Sequence, residues 1–486
     1  MHPYPSVTQP DPYAVDPTGS DLQSLMQDLR ERGKVVPILL PEGMPAWGIT
    51  DPVIMRDLMS GTDVSKDKKY WKDYQDGNVP ENWSMLPWVG GHAKKPENAF
   101  HAGGDDHKRL RRPMVAAFTS RRIKALRPQI EQITAQVLAR LEEAGRRGRM
   151  VDLRQELAFP VPIEVISALL GIPDNLRPQF RTCVDRIFDT TISSELAQAN
   201  QVELGQVLQE LVEFKKTHPG DDLTTDLLAD LHPPATPGDD SGAKNGKRSK
   251  RKKNVEPAAG LTDREVLGTI RLVITAGFET TVNLIDQAIT LLLTHPHWLG
   301  AVQADRITWA AVVEEALRYE SPVACAPLRY ARTDLRIRVN DKDGVDGGEN
   351  QDGTVLIREG DAVLMFVGAA GRDPLTHAEP GVFDPTRQDM EHLAFGWGPH
   401  HCVGATLAIE EALVTLRDFF ARFPGIRLAV DVADLGANRG FITNGHARLP
   451  VYLYAPSFWA RMARRLSLSG LVRWMRRQLT LAFRPW

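Results

Sequence analysis

The sequence predicts a mainly α fold with a smaller β region, and three observations carry that reading. Apolar residues recur three and four apart through most of residues 107–232, and again from Leu261 past Leu293. Residues 325–368 alternate instead, with Leu335, Ile337 and Val339 sharing a face, and later Val355 and Ile357. Hydrophobic residues make up 42% and charged residues 25% of 486 positions, enough apolar side chain for a sizeable core.

In chain order, residues 1–20 are rich in Pro, Asp and Ser and read as a flexible N-terminal arm. A helix opens at Asp21, and Val35-Val-Pro-Ile-Leu-Leu reads as strand. Residues 66–104 lack periodicity but hold Trp71, Trp83 and Trp88; so long a loop either walls a binding site or is anchored to the core by its aromatics. Helical spacing follows at 121–144, 163–170, 175–190, 195–217 and 223–231. The segment 232–260 contains the basic run from Lys244 to Lys253, cannot bury apolar surface, and is expected to be a disordered insertion. No aromatic interleaves that run, which favours a solvated loop over a nucleic-acid site. Leu261-Thr-Asp-Arg-Glu caps one long helix continuing past Leu293, and a second helix spans about 307–319 before Ser321-Pro322. The acidic, Gly-rich stretch 341–352 reads as a hairpin tip. A coil leads to Cys402, a helix runs to about Phe423, and short strands close near Tyr454.

Several classes fall away. A net charge of −3 gives no whole-protein attraction to nucleic acid. Cys183, Cys325 and Cys402 are too few for a disulfide framework, and without a Cys-x-x-Cys pair a structural zinc is disfavoured. The N-terminus lacks a signal-peptide layout. No run of about 18 apolar residues exists; the best stretch, 266–293, carries Arg271, Glu279 and Asp286. A protein of the reducing cytoplasm is expected.

The most informative segment is Phe395-Gly-Trp-Gly-Pro-His-His-Cys402-Val-Gly. Its glycines let backbone approach a flat, bulky object. The following Ala405-Thr-Leu-Ala-Ile-Glu-Glu-Ala-Leu favours helix, so Cys402 stands at a helix N-terminus, where free N–H groups stabilise a thiolate. Such a thiolate is a soft metal ligand that suits a haem iron. Elsewhere, Ala276-Gly-Phe-Glu279-Thr280-Thr281 puts poor helix formers mid-helix and predicts a local distortion. Glu315 and Arg318 share a helix face, as do His107 and Arg111; on spacing alone both read as solvated faces.

At these residues the chain resembles the cytochrome P450 family. Phe395 to Gly404 fits the family's Phe-Gly-x-Gly-x-His-x-Cys-x-Gly haem loop at every fixed position, and the resemblance runs from about residue 21 to 454. It implies a triangular prism of helices around a buried haem b, with Cys402 as axial iron ligand. It implies that His107, Arg111, Arg329 and His400 bind the haem propionates, Arg332 being a rival for the place of Arg329. Glu315 and Arg318 would form a buried clamp with Arg387. Glu279 would relay protons beside Thr280 during oxygen activation; many relatives have Asp at that acid position. Ala276, Gly277, Val323, Ala324, Phe441, Ile442 and Thr443 would line an apolar pocket.

The implied reaction is monooxygenation of a hydrophobic small molecule, such as a secondary metabolite, lipid or xenobiotic, using O2. No flavin or iron–sulfur motif is present, so electrons are expected from a ferredoxin and its NAD(P)H-dependent reductase, with Arg109 and Arg112 facing that acidic partner. Oxidative cross-linking, peroxide use, or a catalytically silent haem sensor or assembly partner are the rivals; the intact Glu279–Thr280 pair speaks against them. Residues 455–486 form a basic extension. In it Arg461, Arg464 and Arg465 flank the face of Phe458, Met462 and Leu466, and no acid occurs from 457 onward. Peripheral contact with an anionic membrane and packing on its own domain or on a partner are both open readings.

Overall fold

Short oxygen-bearing side chains set the helix starts. Asp21, Asp51, Thr119 and Thr308 each accept first-turn backbone N–H groups. Thr262 and Glu265 form a reciprocal capping box at the start of Asp263–Gly277, where the sequence predicts one. The computed structural model describes residues 11–90, 93, 95–187, 194–231, 260–339, 353–438 and 440–454. The basic insertion 232–260 (apart from Gly260), the acidic tip 341–352 and the extension 455–486 lie outside the described residues, as do residues 1–10.

Helices dominate: Gly104–Ala117, Ser120–Ala144, Pro160–Leu170, Arg177–Ile187, Ser194–Thr217 and Leu223–Leu231 precede residue 232. A six-stranded sheet has the order Tyr13–Ala14, Val35–Leu40, Met44–Ile49, Ala362–Met365, Ala326–Ala331, Val64–Ser65. Within the segment expected to be a loose arm, Tyr13 and Ala14 pair with Ile38 and Leu39, and Val15 is buried. Gly19 lies so near Gly440 that a Cβ would come within 2.2 Å of its carbonyl oxygen, so backbone packing ties residues 11–20 down.

The long helix expected from 261 past 293 is two helices, Asp263–Gly277 and Glu279–Thr294, broken at Phe278. The cause is the predicted distortion. Thr280 and Thr281 donate their hydroxyls to the carbonyls of Ala276 and Gly277 at 2.9 and 3.1 Å, which draws those carbonyls off the helical ladder. Of the two readings of the loop 66–104, anchoring holds for Trp71 and Trp83. Both are buried, Trp71 stacks on Tyr330 at 5.2 Å, and Trp83 Nε1 donates to Pro41 O at 3.0 Å. Trp88 stays exposed.

The core has two parts, one among the helices and one around the six-stranded sheet. Phe395 and Leu407 pack on the first, Leu393 and Phe441 on the second, so the segment carrying Cys402 runs along their seam. Among the described residues no helix is long and apolar enough to cross a membrane.

Candidate active site

The loop before Cys402 is built from backbone turns. Gly396 and Gly398 take φ of 67° and 68°, a left-handed conformation that costs glycine little. At Gly398 a Cβ would also meet Met59 O at 2.5 Å, so this glycine is required twice over. Gly396 N donates to Leu393 O at 2.8 Å, His401 N to Gly398 O at 3.0 Å, and Cys402 N to Phe395 O at 2.9 Å. Helix Ala405–Arg422 begins three residues later, which places the sulfur at a helix N-terminus as expected.

The thiolate expectation holds only in part. Burial pushes the Cys402 thiol above its ordinary value, while the N–H groups of Gly404 and Ala405 and the Arg111 guanidinium pull it down without prevailing. The side chain is nonetheless exposed, although protein surrounds it. A metal that takes the sulfur displaces the proton outright.

The clamp holds the segment 371–387 that precedes this loop in the chain. Glu315 and Arg318 have no exposed surface, and Arg318 Nε and Nη2 donate to the two carboxylate oxygens at 2.7 Å each. Arg318 also reaches the carbonyls of Gly371 at 2.7 Å and Val382 at 3.0 Å. Arg387 Nε meets Glu315 at 3.2 Å, and Asp384 N donates to the same carboxylate at 2.8 Å. The spacing argument for a solvated pair is overridden because the surrounding carbonyls and N–H groups satisfy both buried charges.

His107 and His400 come together with ring centroids 3.9 Å apart. Burial, with Arg111 and Lys66 adding to it, drives His107 down to about 4, and burial drives His400 down too, which favours the neutral form of both. His107 Nε2 is buried without a hydrogen-bond partner. Arg111 donates to His401 O. Arg329 is buried, and its described contacts are weak, to Pro327 O at 3.5 Å and Met365 Sδ at 3.7 Å. Its rival Arg332 is exposed and donates to Thr62 O at 3.0 Å, which takes it away from this cluster. Arg109 and Arg112 are each paired with an acid of this chain. Arg109 makes two bonds to Glu265 at 2.6 and 3.0 Å, and Arg112 grips Asp230 at 2.6 and 2.9 Å, because both face neighbouring helices.

Glu279 is buried and accepts from Arg154 Nη2 at 2.6 Å and Asn438 Nδ2 at 2.8 Å, both on Oε1. Burial raises its carboxyl above the ordinary range against the pull of Arg154 and Asn438. Sequence reading missed both partners. A buried Arg beside Asp152 in a π-helical turn, Arg154–Ala158, leaves no motif, and Asn438 lies in a turn. That same turn brings the expected pocket residues together: Ala324 N donates to Ile442 O at 2.8 Å and Val323 bridges Thr443. Ala276 and Gly277 are exposed in a helix whose flanking residues are largely buried.

A buried and a half-buried arginine, two imidazoles in contact and a sulfur at a helix start define the class: a helical protein with a donor set suited to an iron porphyrin. The comparisons name the family. The cytochrome P450 family model matches residues 74–425. The chain is 34% identical to 2-hydroxy-5-methyl-1-naphthoate 7-hydroxylase of Streptomyces carzinostaticus, covering 91% of this chain and 97% of that protein. It is 33% identical to 6-deoxyerythronolide B hydroxylase of Saccharopolyspora erythraea, covering 88% and 94%. Among solved structures, CYP154A1 from Streptomyces coelicolor A3(2) is 40% identical with a TM-score of 0.75, over 91% of this chain and all of that one. The chain belongs to the cytochrome P450 family and is a haem-dependent monooxygenase.

Proposed function

We propose that this monooxygenase holds haem b through Cys402, with His107, Arg111, Arg329 and His400 on the propionates. It oxidises a mid-sized hydrophobic compound of the secondary-metabolite kind in the cytoplasm. The observation that carries this reading is the His107–His400 contact and the buried Arg329, with no carboxylate among their described hydrogen-bond partners, beside a sulfur at a helix start. When bound, haem supplies the iron centre at which O2 is activated. The substrate class is supported by the relatives, whose names give a naphthoate and 6-deoxyerythronolide B as the compounds hydroxylated. The small side chains of Ala276, Gly277, Val323 and Ala324, with Phe441 and Ile442, suit an apolar guest. Electrons come from a ferredoxin and its NAD(P)H-dependent reductase.

Glu279 and Thr280 handle protons. Both described bonds to Glu279 fall on Oε1, which leaves Oε2 to take up and release a proton. Thr280 Oγ1 spends its hydrogen on Ala276 O, so its lone pairs are left to accept. Replacing Glu279 by Gln keeps an amide oxygen for Arg154 but removes the titrating group. Product formed per minute with ferredoxin and reductase is expected to fall by about 10²–10⁴. Undiminished turnover in Glu279→Gln contradicts the relay, and equal turnover by wild type on hydrogen peroxide alone points to the peroxide-using alternative.

A further inference from the structure

Strand Val64–Ser65 pairs antiparallel with Ala326–Ala331 in the register Val64↔Ala331 and Ser65↔Tyr330. Lys66 follows this strand directly, and Arg329 precedes Tyr330 in the partner strand. The two are 8% and 4% exposed, so two cationic side chains flanking one paired position are both buried. Burying such groups without a counter-charge is costly. The arrangement is not a loose one: the start of helix Gly104–Ala117 presses on this strand so closely that a Cβ at Gly103 would come within 2.7 Å of Ser65 Oγ. That contact fixes Lys66 beside the helix that carries His107 and Arg111.

Nothing described on the protein answers the charge. Burial pushes Lys66 well below its ordinary value, and the groups that act on it next are Arg329 and Arg111, both cations. Lys66 and Arg111 in turn act on His107 and His400. The face of Phe100, 4.3 Å from Lys66 Nζ, gives partial relief through its ring quadrupole. Lys66, Arg111 and Arg329 thus leave positive charge beside the paired His107 and His400 rings, a setting that suits an anionic group.

We propose that Lys66 is a further propionate-binding residue, acting with Arg329 of the adjoining strand to grip one carboxylate of the haem. This rests on the haem site proposed above. The shared carboxylate gives two buried cations without a described counter-charge a charge-assisted hydrogen bond each.

The test compares wild-type holoenzyme with Lys66→Met and Lys66→Arg. Haem transfer to excess apomyoglobin is expected to be about tenfold faster in Lys66→Met, the loss of one hydrogen bond to a charged group, and within about twofold of wild type in Lys66→Arg. The ferric/ferrous midpoint potential of Lys66→Met is expected to shift negative, because a cation near the iron's cofactor is gone; a purely structural lysine would leave it unmoved. Wild-type transfer rate and potential in Lys66→Met overturn the proposal, as does equal loss in Lys66→Arg. If Lys66→Met fails to accumulate, Lys66→Gln gives the same two readouts. Absence of the thiolate-type ferrous–CO spectrum in wild type would instead strike the haem site itself.

Discussion

Replacing Cys402 by alanine is expected to reduce O2-dependent product formation to the level of a no-enzyme control. The loop that presents the sulfur is held by backbone groups, Cys402 N to Phe395 O at 2.9 Å and Gly396 N to Leu393 O at 2.8 Å, and alanine keeps all of them. The side chain is also exposed, so its removal opens no packing defect of the kind that destabilises cores. Loss of activity is therefore expected without loss of fold: far-UV circular dichroism should match wild type. An alanine variant that retains turnover contradicts the assignment of Cys402.

The second large effect falls on stability. Leucine at Arg318 leaves Glu315 in a place with no exposed surface, with Arg387 Nε at 3.2 Å and Asp384 N at 2.8 Å as its remaining described partners. It also strands the carbonyls of Gly371 and Pro380, which Arg318 now satisfies, while Val382 O keeps its bond from Arg387 Nη2 at 2.9 Å. Breaking one side of a buried ion pair costs about 3–5 kcal/mol. A marked drop in the urea midpoint is expected. Arg387→Gln should cost less, because Arg318 continues to hold both oxygens of Glu315. If the two variants unfold at the same denaturant concentration as wild type, residues 371–387 are not held by this clamp.

Much of the architecture was legible in the sequence because periodicity and caps are local signals. The capping box at Thr262 and Glu265 and the break near Phe278 both follow from side chains within a few residues of each other. The burial of Glu315 and Arg318 was not legible from spacing: a pair three apart looks alike on a solvated face and in a core. What decides is the set of carbonyls brought from residues 371–382. Arg109 and Arg112 illustrate the converse, since their acidic partners Glu265 and Asp230 lie 156 and 118 residues away. Arg154, Asn438 and Lys66 went unseen for the same reason, each deriving its place from a contact across the fold, such as the strand pairing of Ser65 with Tyr330 that brings Lys66 to the strand carrying Arg329.

The central claim, that the sulfur at 402 is the iron's protein ligand, is tested most directly by the carbon monoxide difference spectrum of the dithionite-reduced holoenzyme. The far red-shifted Soret band of thiolate ligation is expected in wild type and its loss in Cys402→Ala. A wild-type protein that shows the band of an imidazole-ligated haem, or a Cys402→Ala variant whose spectrum is unchanged, contradicts the claim.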